Sequence, residues 1–449
     1  MLFSWDSAKL ALLNLKSIAF EKIAEQYANQ LAQYTSPQKV LLAEADTIHF
    51  LAVLVAALAQ NHYLFLGNTN WRDREWQQAL KLIQPDIIFS SCQLPDYEKK
   101  ATEIPPLPTP AMMIPTGGTS GKIKFAIHTP DTLTASVQGF FNYFGQKPVN
   151  SISILPLYHV GGLMPFFRAW LTGGKCLIWS YQDLKQGQFP DLDLSSYYLS
   201  LVPTQLQFLL EKYPQQLAQF QTILVGGAPP WPSLLDNARK YNIPVALTYG
   251  MTETASQVVT LQPQDFLAGN NSNGRVLPHA DLTLIPAENG QQRGEKVGIV
   301  KIEAESLFWG YYPEIKRDRT LITDDIGYFD AGGYLHILGR DSQKIITGGE
   351  NVFPGEVEGE ILATELVQDV CVVGLKDDYW GEIVAAIYVP ISPQIQLEKI
   401  KAQLRDRLAA FKQPKQWVIV TQLPRNAQGK INLTEVKRIA QTDLNLSSR

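Results

Sequence analysis

The chain has 449 residues, of which 45% are hydrophobic and 18% are charged. This is the composition of a folded globular protein, and it excludes a disordered or fibrous one. The formal net charge of −4 at pH 7 comes from 39 basic and 43 acidic residues, so the basic surplus that binds nucleic acid or anionic lipid is absent. A chain of this length exceeds what one hydrophobic core usually serves, and we expect a large domain followed by a small one.

The cysteines and the apolar runs indicate the cellular compartment in which we expect the protein. Cys92, Cys176 and Cys371 are odd in number and widely spaced, which favours neither a disulfide framework nor a zinc site and fits the reducing cytoplasm. The longest apolar run, residues 50–59, is too short to cross a bilayer, and the first residues lack the order of a signal peptide. We expect a cytoplasmic protein with no membrane insertion and no nucleic-acid partner, either a monomer or a homodimer.

The first hundred residues alternate between short apolar runs and helical patterns. Strand candidates at residues 39–45, 63–66 and 86–90 are separated by helical stretches at residues 48–59 and 71–83. This alternation predicts βαβα units in a parallel sheet. After a proline-rich connector, four later runs repeat the pattern: residues 151–155, 198–202, 223–225 and 245–247.

From about residue 294 the pattern changes to short strands with glycine turns, such as residues 298–303 and 333–338. We place the end of the large domain at residue 340, a hinge at residues 341–342 and a small α+β domain at residues 343–449. The predicted fold class is α/β: a large N-terminal domain with mixed or parallel sheets, helices and a β-subdomain, followed by the small domain.

The segment from Thr116 to Lys124 holds three glycines, three hydroxyl residues and two lysines in nine positions. Glycines let successive backbone N–H groups converge on an anion, hydroxyls add short donors, and lysine supplies charge. A plain turn would not need the lysines. The P-loop of common NTPases does not fit, because only three residues separate Gly117 from Gly121 and an isoleucine follows Lys122. The segment predicts a phosphate-binding loop of another kind.

Four later segments carry groups suited to a nucleotide. Tyr249 offers a ring that can stack on a purine, and Glu253 a carboxylate that can hold Mg²⁺ bridging phosphates. Asp325 and Arg340 offer a carboxylate for a ribose diol and a planar donor near it. Lys430 lies on a glycine-bearing loop near the C-terminus. Each of them alone is more often a surface loop, a turn or a solvated side chain.

Taken together in chain order, these segments resemble the adenylate-forming superfamily, which includes acyl-CoA and aryl-CoA synthetases, luciferases and the adenylation domains of peptide synthetases. The resemblance spans roughly residues 114–449 and also includes residues 225–229 and 348–351. It implies ATP-dependent activation of a carboxylic acid as an acyl-adenylate, with Mg²⁺ as cofactor and CoA as cosubstrate. The large domain would bind ATP and the acid, and the small domain would carry the catalytic lysine and swing about the hinge.

The same resemblance assigns the site residues. Those assigned to the nucleotide are Thr116, Gly117, Gly118, Thr119, Ser120, Gly121 and Lys124 at the phosphates, Gly227, Ala228, Pro229 and Tyr249 at the adenine, Gly250 and Thr252 beside them, and Asp325 and Arg340 at the ribose. Glu253 would hold the metal. Lys430 would approach the carboxylate and the α-phosphate as the carboxylate oxygen attacks phosphorus. Gly348, Gly349 and Glu350 would face CoA after the swing.

Two further segments indicate which class of carboxylic acid is the substrate. His159 stands where peptide-synthetase domains usually carry an aspartate, which disfavours an amino acid because its ammonium group would lack a counter-charge. Residues 200–207, together with the phosphate loop and residues 125–128 that follow it, resemble 2-succinylbenzoate CoA ligases of menaquinone and phylloquinone synthesis. An aromatic dicarboxylic acid is therefore implied. The alternatives are another aryl- or fatty-acyl-CoA ligase and a non-catalytic nucleotide-binding protein, which would have no reason to keep Glu253, Asp325 and Lys430 together.

In the expected acid site, His159 and Lys430 lie against the reacting carboxylate. The ring would pack near Thr204, Gln205, Gly226 and Thr248. Arg168 is the candidate for the second carboxylate, and its alternative is a structural arginine on the helix after Gly162. A packed, hydrogen-bonded histidine is the alternative for His159.

Three positions depart from the pattern usual in the superfamily. Ile123 replaces a proline in the phosphate loop, and Asp324 replaces the glycine that usually precedes Asp325. Both substitutions leave the expected donors in place. Ser342 stands where many relatives carry an aspartate at the hinge, so the sequence leaves the pivot to be located.

Overall fold

The computed structural model describes residues 17–99, 107–117, 122–292, 295–316, 318–425 and 431–447. Its first sheet has the strand order β3-β1-β2-β4-β5, in which β4 and β5 are antiparallel and the other pairs parallel. The elements of this layer are α1 (Ser17–Leu31), β1 (Lys39–Ala43), α2 (Thr47–Ala59), β2 (Tyr63–Leu66), α3 (Asp73–Ile83), β3 (Ile87–Ser90), β4 (Ala111–Gly117) and β5 (Ile123–His128).

Burial explains why the strands of this layer are unbroken apolar runs in the sequence. Every residue of β1 and of β2 is buried, as expected for central parallel strands covered on both faces. Helix α2 begins where the Asp46 carboxylate accepts bonds from the N–H groups of Ile48 and His49, each at 2.9 Å. Its residues 50–58 are all buried, so this apolar helix is part of the core.

The second sheet has seven strands, in the order β12-β11-β10-β9-β8-β6-β7. The strands from β10 to β7 in that order pair in parallel, whereas β11 and β12 are antiparallel. Its elements are α4 (Pro130–Tyr143), β6 (Asn150–Ser153), α5 (Val160–Thr172), β7 (Cys176–Ile178), α6 (Tyr181–Lys185), β8 (Tyr197–Leu201), α7 (Pro203–Lys212), α8 (Pro214–Leu217), β9 (Thr222–Val225), α9 (Pro232–Lys240), β10 (Val245–Met251), β11 (Ser256–Thr260), α10 (Pro263–Leu267) and β12 (Arg275–Val276).

The third sheet is antiparallel, with the order β13-β14-β15-β16. Its strands are β13 (Ala280–Gln292), β14 (Glu295–Ala304), β15 (Thr320–Phe329) and β16 (Leu335–Arg340). A 3₁₀ turn, Asp341–Gln343, follows β16 directly. This turn leads into the small C-terminal domain.

The fourth sheet forms that small domain and has the order β18-β17-β20-β19, with β21 parallel to β20. Its elements are β17 (Ile345–Thr347), β18 (Glu350–Val352), α11 (Pro354–Leu362), β19 (Val367–Asp377), β20 (Gly381–Pro390), α12 (Leu397–Arg405), β21 (Gln416–Ile419) and α13 (Leu433–Ser447). A methyl group on Gly355 of α11 would lie 3.8 Å from the Pro229 ring, so α11 lies beside the large domain.

The predicted α/β class and the sequence of a large and a small domain are confirmed. One detail of the prediction is wrong: the β-rich part begins at Ala280 and not near residue 294, and its strands β13 and β14 have 13 and 10 residues. The antiparallel edge strand β5 makes the first sheet mixed, which is one of the two forms predicted. Within the described ranges, no helix has both the length and the apolar character needed to cross a membrane. The boundary at residues 340–343 and the cytoplasmic location stay predictions.

Candidate active site

Three side chains assigned to the nucleotide meet at the end of β10. The Tyr249 hydroxyl donates to Asp325 Oδ2 at 2.7 Å, and Arg340 Nε lies 3.4 Å from Asp325 Oδ1. Asp325 and Arg340 are opposite each other in the β15–β16 pair. Burial, and then the Asp325 charge, raise the pKa of Tyr249, so its hydroxyl stays protonated. A carboxylate held in this way, beside a guanidinium, is suited to a ribose diol.

A second cluster lies where the Tyr249 segment meets β5. The Tyr311 hydroxyl donates to Glu253 Oε1 at 2.5 Å, and Lys124 Nζ lies 4.7 Å from the centre of the Tyr311 ring. Burial, followed by the Glu253 charge, raises the pKa of Tyr311. The cluster therefore brings together the carboxylate assigned to the metal and the last lysine of the phosphate loop.

Sequence reasoning missed Tyr311. It lies in the segment from Phe308 to Tyr312, which pairs with the edge of β5 through an isolated bridge between Ala126 and Tyr311. The same segment donates the Phe308 N–H to the Glu253 carbonyl at 2.9 Å. The available signal was an aromatic run around a glycine, residues 308–312.

His128 fixes the turn that carries Thr252 and Glu253. Its ring is fully buried, and Nε2 donates to the Thr252 carbonyl at 2.7 Å. Nδ1 lies 3.1 Å from the Thr132 hydroxyl. Burial lowers the pKa of His128 to about 4, so the ring is neutral at pH 7. His128 therefore fixes the position of the Glu253 turn relative to strand β5.

The glycine segment after β9 lines the same end of the sheet. The Thr248 hydroxyl donates to the Val225 carbonyl at 3.2 Å, and a methyl group on Gly226 would lie 2.3 Å from that hydroxyl. Gly227 has a φ of 81°, a conformation that favours glycine. Ala228 and Pro229 follow towards α9, while Gly250 continues β10 beyond Tyr249. The segment therefore passes close to Thr248 because glycine leaves room for it.

The residues assigned to the acid lie on several elements. His159 is at the N-terminal end of α5 and packs edge-on against Tyr158, with 4.6 Å between ring centres. Thr204 is exposed in the first turn of α7. Gln205 Oε1 accepts the Val202 N–H at 3.1 Å, so that oxygen caps the helix and only the amide NH₂ group is left to face a ligand.

Arg168 is buried on α5, with 2% of its surface exposed. Its Nη2 donates to Ser256 Oγ at 2.9 Å and to Gln257 Oε1 at 2.8 Å, and its guanidinium lies 4.3 Å from the Phe140 ring centre. Burial lowers its pKa to about 9, and among the described residues no carboxylate offsets that effect. A cation buried in this way needs an anion from elsewhere.

Other polar atoms near Arg168 are also unsatisfied. Arg168 Nε, Gln257 Nε2 and both ring nitrogens of His279 have no hydrogen-bond partner in the described part of the chain. Burial, and then the Arg168 charge, lower the pKa of His279 to about 4. Gln257 is opposite Gly250 in the β10–β11 pair. Gln257, with its unsatisfied amide group, therefore lies beside the strand that carries Thr248 and Gly250.

The residues assigned to CoA lie in the turn between β17 and β18. Gly348 and Gly349 have φ values of 60° and 85°, and Glu350 is exposed. A methyl group on Gly348 would lie 2.8 Å from the Trp380 ring. Trp380 is 41% exposed and Lys415 Nζ lies 3.3 Å from its ring centre. The turn therefore presents an aromatic and cationic surface.

Some assigned residues lie outside the described ones: Gly118, Thr119, Ser120, Gly121 and Lys430. The ends of both loops are described. Thr116 pairs with Lys124 and Gly117 with Ile123, so the phosphate loop joins two antiparallel strands. Around Lys430, Arg425 and Ile431 form a bridge, and Arg425 Nη2 lies 2.7 Å from Asp369 Oδ2.

Comparison with family models matches both domains. Residues 90–312 match the model described as AMP-binding enzyme. Residues 356–430 match the model described as AMP-binding enzyme C-terminal domain. The division of the match between two models follows the large and the small domain of the fold.

Individual relatives agree with the models. The 2-succinylbenzoate–CoA ligase of Oceanobacillus iheyensis is 34% identical over 62% of this chain and 58% of its own length. The enzyme of the same name from Enterococcus faecalis is 33% identical over 72% of this chain and 68% of its own. The o-succinylbenzoate CoA synthetase of Bacillus subtilis, solved with its acyl-adenylate intermediate, superposes with a TM-score of 0.80 at 24% identity, covering 95% of this chain and 94% of that one. The chain belongs to the AMP-binding enzyme family.

Proposed function

We propose that this chain is an ATP-dependent acid–thiol ligase that joins 2-succinylbenzoate to CoA through an acyl-adenylate, in the synthesis of menaquinone or phylloquinone. The observation that carries the proposal is the continuity of one segment. Tyr249, which holds Asp325, and Glu253, which is held by Tyr311, lie four residues apart. One strand and its turn thus supply both a ribose cluster and a phosphate cluster.

In the first half-reaction, a carboxylate oxygen of the acid attacks the α-phosphorus of ATP and pyrophosphate leaves. The residues of this chain orient the nucleotide: Asp325 and Arg340 at the ribose, and Lys124 at the phosphates. Lys430 would offset the charge that develops between the carboxylate and the α-phosphate. His159 would lie beside the reacting carboxylate.

Glu253 fits a divalent cation of the hard type. Its carboxylate has one oxygen engaged by Tyr311, which leaves the second for a metal that prefers oxygen ligands. Within the described ranges, no group of three His, Cys, Asp or Glu residues is placed to hold a metal by itself. Mg²⁺ would therefore be held by Glu253 together with nucleotide oxygens and water, and it would neutralise phosphate charge.

In the second half-reaction, the CoA thiolate attacks the acyl carbon and AMP leaves with one oxygen of the former carboxylate. Activation as a mixed anhydride is what makes that carbon a good acceptor. The small domain would swing about the hinge to remove Lys430 and to bring the turn of Gly348, Gly349 and Glu350 to the site.

The choice of a dicarboxylic acid is supported by the surroundings of Arg168. A buried guanidinium with an unpaired Nε lies near an unsatisfied amide donor of Gln257 and an unsatisfied imidazole of His279. Gln257 lies beside β10, opposite Gly250, and the ring of the acid would pack near the same strand, at Thr248 and Gly226, beside Thr204 and Gln205. The second carboxylate of 2-succinylbenzoate would supply the counter-charge that Arg168 lacks.

The test is release of pyrophosphate from ATP with 2-succinylbenzoate, benzoate, cinnamate and octanoate in turn, followed by mass detection of the CoA thioester. We expect 2-succinylbenzoate to give the highest kcat/KM. A preference for octanoate or cinnamate would overturn the assignment of 2-succinylbenzoate as the substrate but would leave the assigned reaction, ATP-dependent ligation of an acid to CoA, intact. Absence of pyrophosphate release with every acid would overturn the enzyme assignment itself.

A further inference from the structure

A pair of hydrogen bonds joins the third sheet to the turn that leaves it. The Ser342 backbone N–H donates to Asp324 Oδ1 at 3.1 Å, and the Ser342 hydroxyl donates to Asp324 Oδ2. Asp324 is in β15 and Ser342 is in the 3₁₀ turn that follows β16. Both oxygens of one carboxylate therefore bind one residue at the junction of the two domains.

The two bonds restrict different backbone torsions. The direction of the Ser342 N–H is set by the ψ angle of Asp341, whereas the position of the Ser342 hydroxyl depends on the φ angle of Ser342 and on its side-chain rotamer. With both bonds in place, neither torsion can change much. The next main-chain bond, the ψ bond of Ser342, lies inside the 3₁₀ turn, which the Lys344 N–H closes on the Asp341 carbonyl at 3.2 Å. Rotation there breaks only this one turn bond and leaves both bonds to Asp324 in place.

The same two strands carry the ribose pair. Asp325 follows Asp324 directly, and successive side chains of a strand point to opposite faces of the sheet. Asp325 is opposite Arg340 in the register, and Arg340 precedes Ser342 by two residues. A bond that fixes Ser342 on one face therefore also fixes the end of β16, from which Arg340 reaches Asp325 at 3.4 Å.

We propose that Asp324 is a positioning residue that latches Ser342, holds Arg340 against Asp325 while the nucleotide reacts, and confines rotation of the small domain to the bonds after the Ser342 φ bond. The meaning of that rotation rests on the proposed function; the latch itself does not. Asp324 and Ser342 are both exposed, so each bond is worth about a two- to tenfold change in an equilibrium. The latch is strong enough to bias the hinge and weak enough to open.

The first test needs no substrate. Trypsin cuts after Arg340 and Lys344, on either side of Ser342, and mass spectrometry measures both rates in the native protein. We expect Asp324→Ala and Ser342→Ala each to raise these rates about two- to tenfold. Because Asp324→Ala removes both bonds and Ser342→Ala removes only the hydroxyl bond, the double variant should be cut no faster than Asp324→Ala. Effects that multiply in the double variant, or rates equal to wild type, would overturn the latch.

A second test uses charge. Ser342→Asp places a second carboxylate against Asp324, and like charges repel. We expect this variant to be cut faster than Ser342→Ala, and Asp324→Asn in the same background to reverse the increase. Failure of that reversal would contradict the contact. Glu303→Gln is the matched control, because Glu303 is an exposed carboxylate of the same sheet that pairs with Lys301 at 2.6 Å, away from the hinge.

The third measurement separates the two half-reactions. We expect Asp324→Ala to raise the KM for ATP in pyrophosphate release about two- to tenfold, while the rate of thioester formation from supplied acyl-adenylate stays within twofold of wild type. Equal losses in both halves would show a general structural defect and contradict a positioning role. If no acid releases pyrophosphate in the wild type, the proposed function fails, whereas the proteolysis results still decide the latch.

Discussion

The Tyr311 hydroxyl ties the Glu253 carboxylate to the edge of β5, and its ring lies under Lys124. We expect Tyr311→Phe to keep the ring contact and to release the carboxylate. The KM for magnesium–ATP in pyrophosphate release should then rise about tenfold, the usual effect of losing a hydrogen bond to a charged group. The matched control is Tyr312→Phe, since Tyr312 is a neighbouring buried tyrosine with no bond to Glu253. If Tyr311→Phe left the KM for magnesium–ATP unchanged, Tyr311 would have no part in the metal site.

Arg168 gives a prediction about specificity. Arg168→Gln removes the buried charge, so we expect the KM for 2-succinylbenzoate to rise about 10- to 100-fold while the KM for ATP changes little. An analogue without the ring carboxylate should be unaffected. Arg239→Gln is the control, because Arg239 lies 4.4 Å from the Phe266 ring in the same manner as Arg168 on Phe140. Equal losses for the two acids would make Arg168 a purely structural residue.

At the scale of elements, the contact between β5 and the Glu253 turn makes stability depend on pH. His128 has a pKa of about 4 in the folded protein, below its ordinary 6.5. Below pH 6.5 the unfolded chain binds a proton that the folded one rejects, so stability is complete above 6.5 and falls as the pH approaches 4. The loss reaches about 3 kcal/mol for this one group.

Urea unfolding between pH 7 and pH 4 measures that loss. His128→Asn should reduce the dependence on pH, and the part that remains includes the contribution of His279, whose pKa burial also lowers to about 4. A His128→Asn protein with the full wild-type slope would show that this ring does not control acid stability.

Sequence patterns predicted these elements unevenly, for physical reasons. The strand at residues 63–66 and the cores of β8, β9 and β10 were evident because buried parallel strands are unbroken apolar runs. Strand β5 was missed because the glycine-rich segment before it and the lysines at 122 and 124 resemble a loop, and its pairing with β4 is seen only in the structure. Tyr311 was missed for a related reason: it reaches Glu253 through a single bridge to Ala126, a contact between residues distant in sequence.

At the scale of the whole molecule, the small domain lies beside the adenine segment of the large one. Gly355 and Gly359 of α11 come within 3.8 Å of Pro229 and Pro232 when a methyl group is placed on them. A cleft of about 490 Å³ lies between α9 and α11, lined by Asp236, Glu360 and Arg407 among others. A polar, loosely filled boundary of this kind suits two domains that must change their orientation.

The proposed swing predicts how Lys430 contributes. Lys430→Ala should slow adenylate formation by several orders of magnitude and slow thioester formation from supplied acyl-adenylate far less, because the lysine acts in the first half only. Rapid-quench measurement of each half separately gives both rates. If Lys430→Ala slowed adenylate formation and thioester formation equally, the small domain would not change its position between the two half-reactions, which would contradict the proposal.

The acyl-adenylate is the intermediate on which the proposed reaction depends. 2-Succinylbenzoate labelled with ¹⁸O in its succinyl carboxylate, incubated with the protein, ATP, Mg²⁺ and CoA, tests that intermediate directly by mass spectrometry of the products. Attack of the carboxylate on the α-phosphorus predicts one ¹⁸O atom in AMP and none in pyrophosphate. Unlabelled AMP, or label in inorganic phosphate released with ADP, would contradict the mechanism.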